Sequence, residues 1–126
     1  MDWKQLKRFV MSGGGATLIH LSSMTFLVWL GVNAILATAF GMVLGAVVNY
    51  IFQYYYTFDS NTKHHTSIFK YCISVAISFV SNMILFTLIY TTLHFNAFIS
   101  QLLTSALVAI QNYWIYKKFV FLRNIQ

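Results

Sequence analysis

Acidic residues are scarce in this chain: only two of its 126 residues are Asp or Glu, and only 8% are charged. An ordinary soluble domain is about 25% charged. Neither acidic residue lies in a long apolar run. This excludes the paired carboxylates or the Ser-His-Asp set that an enzyme would need. It also excludes the usual buried carboxylate that relays protons in a driven transporter. The sequence therefore predicts a protein that is not an enzyme.

Proline is absent and cysteine occurs once. Without proline, no helix carries a proline kink. The single thiol, Cys72, lies within an apolar run, so no intrachain disulfide can form. The run Gly13-Gly14-Gly15 has neither GxGxxG spacing nor a GKS/T ending, so no ATP site is indicated. We interpret the adjacent His64 and His65 as loop residues, and the sequence predicts no cofactor and no metal.

What the chain does contain is apolar surface: 59% of its residues are hydrophobic and its mean hydropathy is +0.68. A soluble fold of this size could not bury so much of it. Four apolar runs, near residues 9–30, 34–56, 68–90 and 97–116, are each long enough to cross a bilayer. The first follows a basic start that resembles a signal peptide, but its length predicts a retained span. We predict an all-α integral membrane protein with four transmembrane helices.

The basic residues predict how the spans are oriented. All eight occur near the N-terminus, in the middle loop or near the C-terminus: Lys4, Lys7, Arg8, Lys63, Lys70, Lys117, Lys118 and Arg123. The positive-inside rule places these three regions, and both termini, in the cytoplasm. Because they flank spans, the net charge of +6 does not indicate nucleic-acid binding. The four helices would form two parallel-repeat hairpins in a single domain over residues 1–126, with repeat one about 5–58 and repeat two about 67–121.

An internal repeat supports this arrangement. Two stripes, 62 residues apart, have members spaced by four: Arg8, Ser12, Ala16 and His20, then Lys70, Ser74, Ser78 and Asn82. Two more, 63 residues apart, occupy the second spans: Ala37, Gly41, Gly45, Asn49 and Gln53, then Ser100, Thr104, Val108, Asn112 and Tyr116. Residues four apart share a helix face, so each span carries one small or polar stripe. Gly41-x-x-x-Gly45 predicts close helix packing.

The candidate site residues lie in these stripes or, for Lys117 and Lys118, just after the last of them, and each admits two interpretations. The cations Arg8, Lys70, Lys117 and Lys118 either set topology and touch anionic lipid, or form a phosphate site. His20 and Asn82 either hydrogen-bond across the bundle or contact a substrate. Asn49 and Asn112 are similar amides nearer the basic side.

Three segments resemble a known family. Residues 7–20, KRFVMSGGGATLIH, resemble the start of the GtrA-like family of small four-span membrane proteins. Residues 49–58 and 112–121 resemble its repeated span ending, in which an Asn-aromatic pair leads to a basic residue, an aromatic residue and a final Phe. The resemblance covers about residues 5–123. The chain departs from the family pattern at Gln53-Tyr54, where Asn-Arg is usual, and at His20, where Asp is frequent.

The resemblance implies translocation of a polyprenyl-phosphate sugar, such as undecaprenyl-phosphate glucose, across the bacterial cytoplasmic (inner) membrane. A separate membrane glycosyltransferase would use the sugar outside, in cell-envelope polysaccharide or teichoic-acid glycosylation. By position in the family motifs, the residues for the lipid phosphate are Arg8, Lys70, Asn49, Asn112 and Lys117. The polar stripes add His20, Asn82 and Gln53 as contacts for the sugar.

Two other classes remain as alternatives. One is a membrane anchor that recruits a glycosyltransferase without moving lipid. The other is a small four-span drug exporter, which the missing intramembrane Glu disfavours. For a translocator, four short helices make a thin wall around a sugar, so we expect a homo-oligomer or a glycosyltransferase partner.

Overall fold

The structure, a computed structural model, describes residues 2–123 apart from the side chain of Phe98. Within this range every regular element is helical, which confirms the all-α prediction. Four α-helices follow one another: α1 (Trp3–Trp29), α2 (Ala34–Phe52), α3 (His64–Leu93) and α4 (Ala97–Ile115). One expectation is wrong: His64 and His65 lie in the first turn of α3 and not in the preceding loop. Polar residues are compatible with a first turn, whose N–H groups face solvent or caps.

Both second helices continue into a short π-helix, over Gln53–Thr57 after α2 and over Tyr116–Val120 after α4. In a π-helix each backbone N–H bonds to the carbonyl five residues earlier instead of four. Such a bond, from the Phe58 N–H to the Gln53 carbonyl (3.0 Å), closes the first π-helix, and its equivalent (2.7 Å) closes the second. The two π-helices are 63 residues apart and so occupy the same place in the repeat.

The turns within the two halves also correspond. Asn33 and Asn96 cap α2 and α4, because each side-chain oxygen accepts a backbone N–H bond of 2.8 Å from the first turn of its helix. The preceding turn contains a left-handed residue in both halves, Gly31 (φ 93°) and His94 (φ 56°). Glycine adopts this conformation without strain, whereas histidine does not.

The chain divides into two compact units, an N-terminal unit ending at Ser60 and a C-terminal unit beginning at Asn61. In the N-terminal unit α1 packs against α2 and the first π-helix. In the C-terminal unit α3 packs against α4 and the second π-helix. Each unit is an antiparallel helical hairpin with a short turn. The single domain over residues 1–126 stays a prediction.

The seam of the N-terminal unit is made of backbone contacts. A Cβ atom on Gly41 would lie 2.7 Å from the His20 carbonyl oxygen, and one on Gly45 would lie 3.1 Å from the Ala16 carbonyl oxygen. Ala37, on the same face of α2, is fully buried. The predicted close packing through Gly41-x-x-x-Gly45 is therefore confirmed.

The seam of the C-terminal unit is different, because this half of the sequence contains no glycine. Thr104 and Val108 stand at the positions equivalent to Gly41 and Gly45, and both are buried. Side chains therefore occupy the places where the N-terminal unit has backbone contact. Polar side chains connect α3 and α4, as described below.

Two helices in the described range, Ala34–Thr57 and His64–Leu93, are long and apolar enough to cross a membrane. α1 and α4 are not among these two; at a rise of 1.5 Å per residue, α1 is about 40 Å long. Large apolar side chains are exposed along all four helices; examples are Leu18, Leu36, Phe79 and Leu102, each more than half exposed. Exposure on this scale suits lipid and not water.

Candidate functional site

Arg8 is fixed at one end of the N-terminal hairpin. Its Nη1 donates a 3.3 Å hydrogen bond to the backbone carbonyl of Tyr56, in the first π-helix. Its guanidinium carbon lies 5.0 Å from the centroid of the Tyr56 ring, in cation–π geometry. A guanidinium has five N–H donors, and within the described range only this one bond is made. The half-buried side chain is therefore held in place with most of its donors still available.

Lys70 repeats this arrangement in the C-terminal hairpin. Its Nζ lies 4.9 Å from the ring centroid of Phe119, in the second π-helix. Lys70 is equivalent to Arg8, and Phe119 is equivalent to Tyr56. Each hairpin thus holds one cation of its first helix over one aromatic ring of its π-helix. Since an ammonium has three N–H donors and a ring face accepts none of them strongly, Lys70 retains capacity for an anion.

Lys117 adds a second cation to the C-terminal hairpin only. Its Nζ lies 5.7 Å from the Tyr113 ring centroid and 5.6 Å from the Trp114 ring centroid. Lys117 is half-buried, whereas the adjacent Lys118 is exposed. The residue equivalent to Lys117 in the N-terminal unit is the uncharged Tyr54.

The two predicted amides of the N-terminal unit lie together. Gln53 Nε2 donates to Asn49 Oδ1 over 3.1 Å. Gln53 is only 1% exposed, and its Oε1 has no hydrogen-bond partner among the described residues. An unpaired buried carbonyl oxygen is costly, and the Gln53 oxygen is enclosed by the hairpin in this structure.

His20 takes part in packing. Its Nε2 lies 3.3 Å from Thr38 Oγ1 and shares a hydrogen bond with it. Its backbone and ring lie against Gly41, and its Cβ lies near Gly45. Of the two interpretations of His20 given above, these contacts favour hydrogen bonding across the hairpin.

Asn82 and Asn112 belong to a set of polar pairs across the C-terminal hairpin, which we call the polar seam. It consists of three hydrogen-bonded pairs: Ser78 with Asn112, Ser81 with Gln111 (2.9 Å), and Asn82 with Gln101 (3.0 Å). Gln101 Nε2 also donates to Ser105 Oγ over 2.9 Å. Each pair joins α3 to α4.

Sequence reasoning missed three members of the polar seam: Ser81, Gln101 and Gln111. They lie outside the stripes spaced by four, since a helix has 3.6 residues per turn and its faces drift from that spacing. A usable signal was present, because Gln101 and Gln111 are amides within an apolar run. A buried hydroxyl pair was also missed as a contact: Ser12 Oγ and Thr57 Oγ1 lie 2.8 Å apart in the N-terminal unit.

The structure thus groups the predicted residues by unit. Arg8 and the Asn49–Gln53 pair lie toward the π-helical end of the N-terminal unit. Lys70 and Lys117 lie at the π-helix of the C-terminal unit. Each group has the chemistry to bind an anion: cations with available donors beside aromatic rings.

Comparison with known protein families adds one finding. A family model described as GtrA/DPMS, transmembrane domain, matches residues 8–121, which is most of the chain. Comparisons with curated proteins and with solved structures gave no significant match.

Proposed function

The chain belongs to the GtrA/DPMS family of transmembrane domains, and from this premise we propose that it carries a polyprenyl-phosphate-linked sugar from the cytoplasmic to the outer leaflet. Family membership itself indicates a membrane protein that handles polyprenyl-phosphate sugars. The translocated sugar would serve cell-envelope polysaccharide or teichoic-acid glycosylation. The protein would be a multi-pass component of the bacterial cytoplasmic membrane, and a membrane glycosyltransferase would consume its product outside.

In this proposal all four helices cross the membrane and both termini are cytoplasmic. The apolar exposure along each helix supports four spans. The three clusters of basic residues support the orientation, because they fall on one side of a four-span chain. Both π-helices, with their cations, would then lie at the cytoplasmic interface.

The observation that carries the proposal is the equivalent placement of Arg8 and Lys70. Each cation is half-buried, held over an aromatic ring of a π-helix, and retains N–H donors. In our proposal the residues for the lipid phosphate are Arg8 and Asn49 in the N-terminal unit, and Lys70, Lys117 and Asn112 in the C-terminal unit. Cation-to-phosphate hydrogen bonds are charge-assisted and are about twice as strong as neutral ones.

The sugar would meet uncharged polar groups. Asn82 lies in the polar seam, and Gln53 has a buried oxygen without a partner. His20 was also predicted to contact the sugar, but its packing against Gly41 makes it the weakest of the three candidates. With no ATP motif and no carboxylate in any span, movement would be downhill, drawn by consumption of the sugar outside.

Transfer between leaflets of proteoliposomes tests the proposal. We expect wild-type protein to expose a polyprenyl-phosphate sugar to an external enzyme, and Lys117→Gln to lower that rate at least tenfold. One charge-assisted hydrogen bond is worth about 1.5–3 kcal/mol, and 1.4 kcal/mol is a factor of ten. Lys118→Gln is the matched control, because it removes an exposed adjacent charge, and its rate should stay within about twofold of wild type.

The alternative is a membrane anchor that recruits a glycosyltransferase and moves no lipid. Well-folded wild-type protein that gives no transfer would favour it. Charge reversal, Lys117→Glu, separates the two as well. It should abolish a phosphate site but spare the capture of a glycosyltransferase by a scaffold.

A further inference from the structure

We propose that the sugar headgroup crosses the membrane along the polar seam of the C-terminal unit, while the N-terminal unit serves as a closed support. This inference rests on the proposed function and deepens it, because it identifies which hairpin offers the path. It follows from the hydrogen bonds, the exposure and the position of the polar seam.

The polar seam begins near the proposed phosphate site and leads away from it. Lys117 and Gln101 are 16 residues apart in α4 and its π-helix, which is about 24 Å at helical rise. The hydrocarbon core is about 30 Å thick. On α4 the seam spans Gln101 to Asn112, about 16 Å, and on α3 it spans Ser78 to Asn82, about 6 Å. Hydroxyls and amides therefore lie in the middle of the path that a headgroup must travel while its phosphate leaves the cytoplasmic interface.

Two features distinguish the polar seam from ordinary hydrogen bonding between helices. The buried Oε1 of Gln111 has no hydrogen-bond partner among the described residues. At the other end, Gln101 and Ser105 are exposed, on a helix whose neighbouring apolar side chains suit lipid. Polar groups that face hydrocarbon need hydrogen-bond partners. If these pairs served only to join the helices, we would expect all of them to be buried and all their polar atoms to be hydrogen-bonded.

The chemistry suits a sugar. A sugar hydroxyl both donates and accepts, as Ser does, while an amide offers separate donor and acceptor atoms. Each pair of the seam can therefore exchange its mutual bond for bonds to a hydroxyl without leaving a group unpaired. No charged group lies in the seam, so a neutral sugar fits it better than a second anion would.

The N-terminal unit offers no equivalent path. Among its described residues, the one hydrogen bond between side chains at the matching level joins His20 to Thr38, which are the positions equivalent to Asn82 and Gln101. Beside this pair the two backbones touch at Gly41. A headgroup could enter only by separating the helices.

Transfer by three variants in proteoliposomes tests the inference. Gln101→Leu and Gln111→Leu should each lower transfer of the sugar lipid about tenfold, the cost of one or two hydrogen bonds. Thr38→Val, at the equivalent position of the N-terminal unit, should stay within about twofold. Binding of a short-chain polyprenyl phosphate without sugar is measured beside transfer and should change less than about twofold in all three variants.

Each outcome of this experiment supports or overturns the inference. Transfer by Gln101→Leu and Gln111→Leu at the wild-type rate would overturn the inference and leave the proposed function standing. A fall in transfer with an equal fall in phosphate-lipid binding would also overturn it, because the seam would then only maintain the fold. Wild-type protein that binds the phosphate lipid but transfers nothing would overturn the proposed function, and the inference with it.

Discussion

The N-terminal hairpin joins α1 to α2 through glycine, whereas the C-terminal hairpin joins α3 to α4 through hydroxyl and amide side chains. Their ends are alike: both have an Asn cap, a π-helix and a cation over an aromatic ring. Each hairpin therefore holds a cation at its π-helical end. The two hairpins differ between their ends, because glycines present no side chain to a ligand whereas the polar seam presents hydroxyl and amide groups.

We expect the largest effect on stability when Gly41 is replaced by threonine, the residue at the equivalent position of the C-terminal hairpin. Gly41→Thr places a side chain where even a Cβ would lie 2.7 Å from the His20 carbonyl oxygen. We expect a loss of about 3 kcal/mol in the free energy of unfolding, or no folded protein, since overpacking typically costs about 1–3 kcal/mol and backbone cannot yield as a side chain can. Unfolding in mixed micelles with increasing denaturing detergent measures it.

Gly14→Thr is the matched control for Gly41→Thr. Gly14 lies on the same hairpin, and nothing occupies the space within 4 Å of a Cβ there. Its free energy of unfolding should stay within about 0.5 kcal/mol of wild type. Equal losses in the two variants would mean that close packing at Gly41 does not hold the hairpin together.

We expect a smaller difference in stability between alanine variants of two equivalent serines, Ser12 and Ser74. Ser12 shares a buried hydrogen bond with Thr57 across the N-terminal hairpin. The Ser74 hydroxyl instead donates to the Tyr71 carbonyl of its own helix, which is its one bond within the described part of the chain. Ser12→Ala leaves the Thr57 hydroxyl without this partner and should cost about 1–3 kcal/mol. Ser74→Ala leaves a carbonyl that its own helix already satisfies and should cost less than about 1 kcal/mol.

A double-mutant cycle checks this comparison. Adding Thr57→Val to Ser12→Ala removes both members of the pair, and the loss should be smaller than the sum of the single losses. Simple additivity would show that the two hydroxyls do not interact, contrary to their 2.8 Å separation.

The smallest expected effect is a gain. His94 adopts the left-handed conformation that Gly31 adopts at the equivalent turn. His94→Gly should stabilise the C-terminal unit by about 0.5 kcal/mol, since relief of about 1–2 kcal/mol of strain is partly offset by the entropy of a freer unfolded chain. The reverse change, Gly31→His, should destabilise the protein by a similar amount. A loss of stability in His94→Gly would show that the imidazole makes a contact worth more than the strain.

The sequence by itself determined the helices, their turns and their duplication. Apolar runs bounded by Asn33 and Asn96 set where the second helices begin, because capping depends on residues close in the chain. The spacing in Gly41-x-x-x-Gly45 predicted close helix packing, which the structure confirms. The family resemblance is likewise confirmed by a match over residues 8–121.

Only the tertiary structure decided what the polar residues contact. His20 and Asn82 are equivalent in sequence, yet His20 packs against Gly41 while Asn82 pairs with Gln101. A side chain's partner depends on the distance between two backbones, and that distance depends on residues of the opposite helix. The unpaired oxygens of Gln53 and Gln111 depend on the same long-range packing, whereas both π-helices fall within the repeated span ending at residues 49–58 and 112–121.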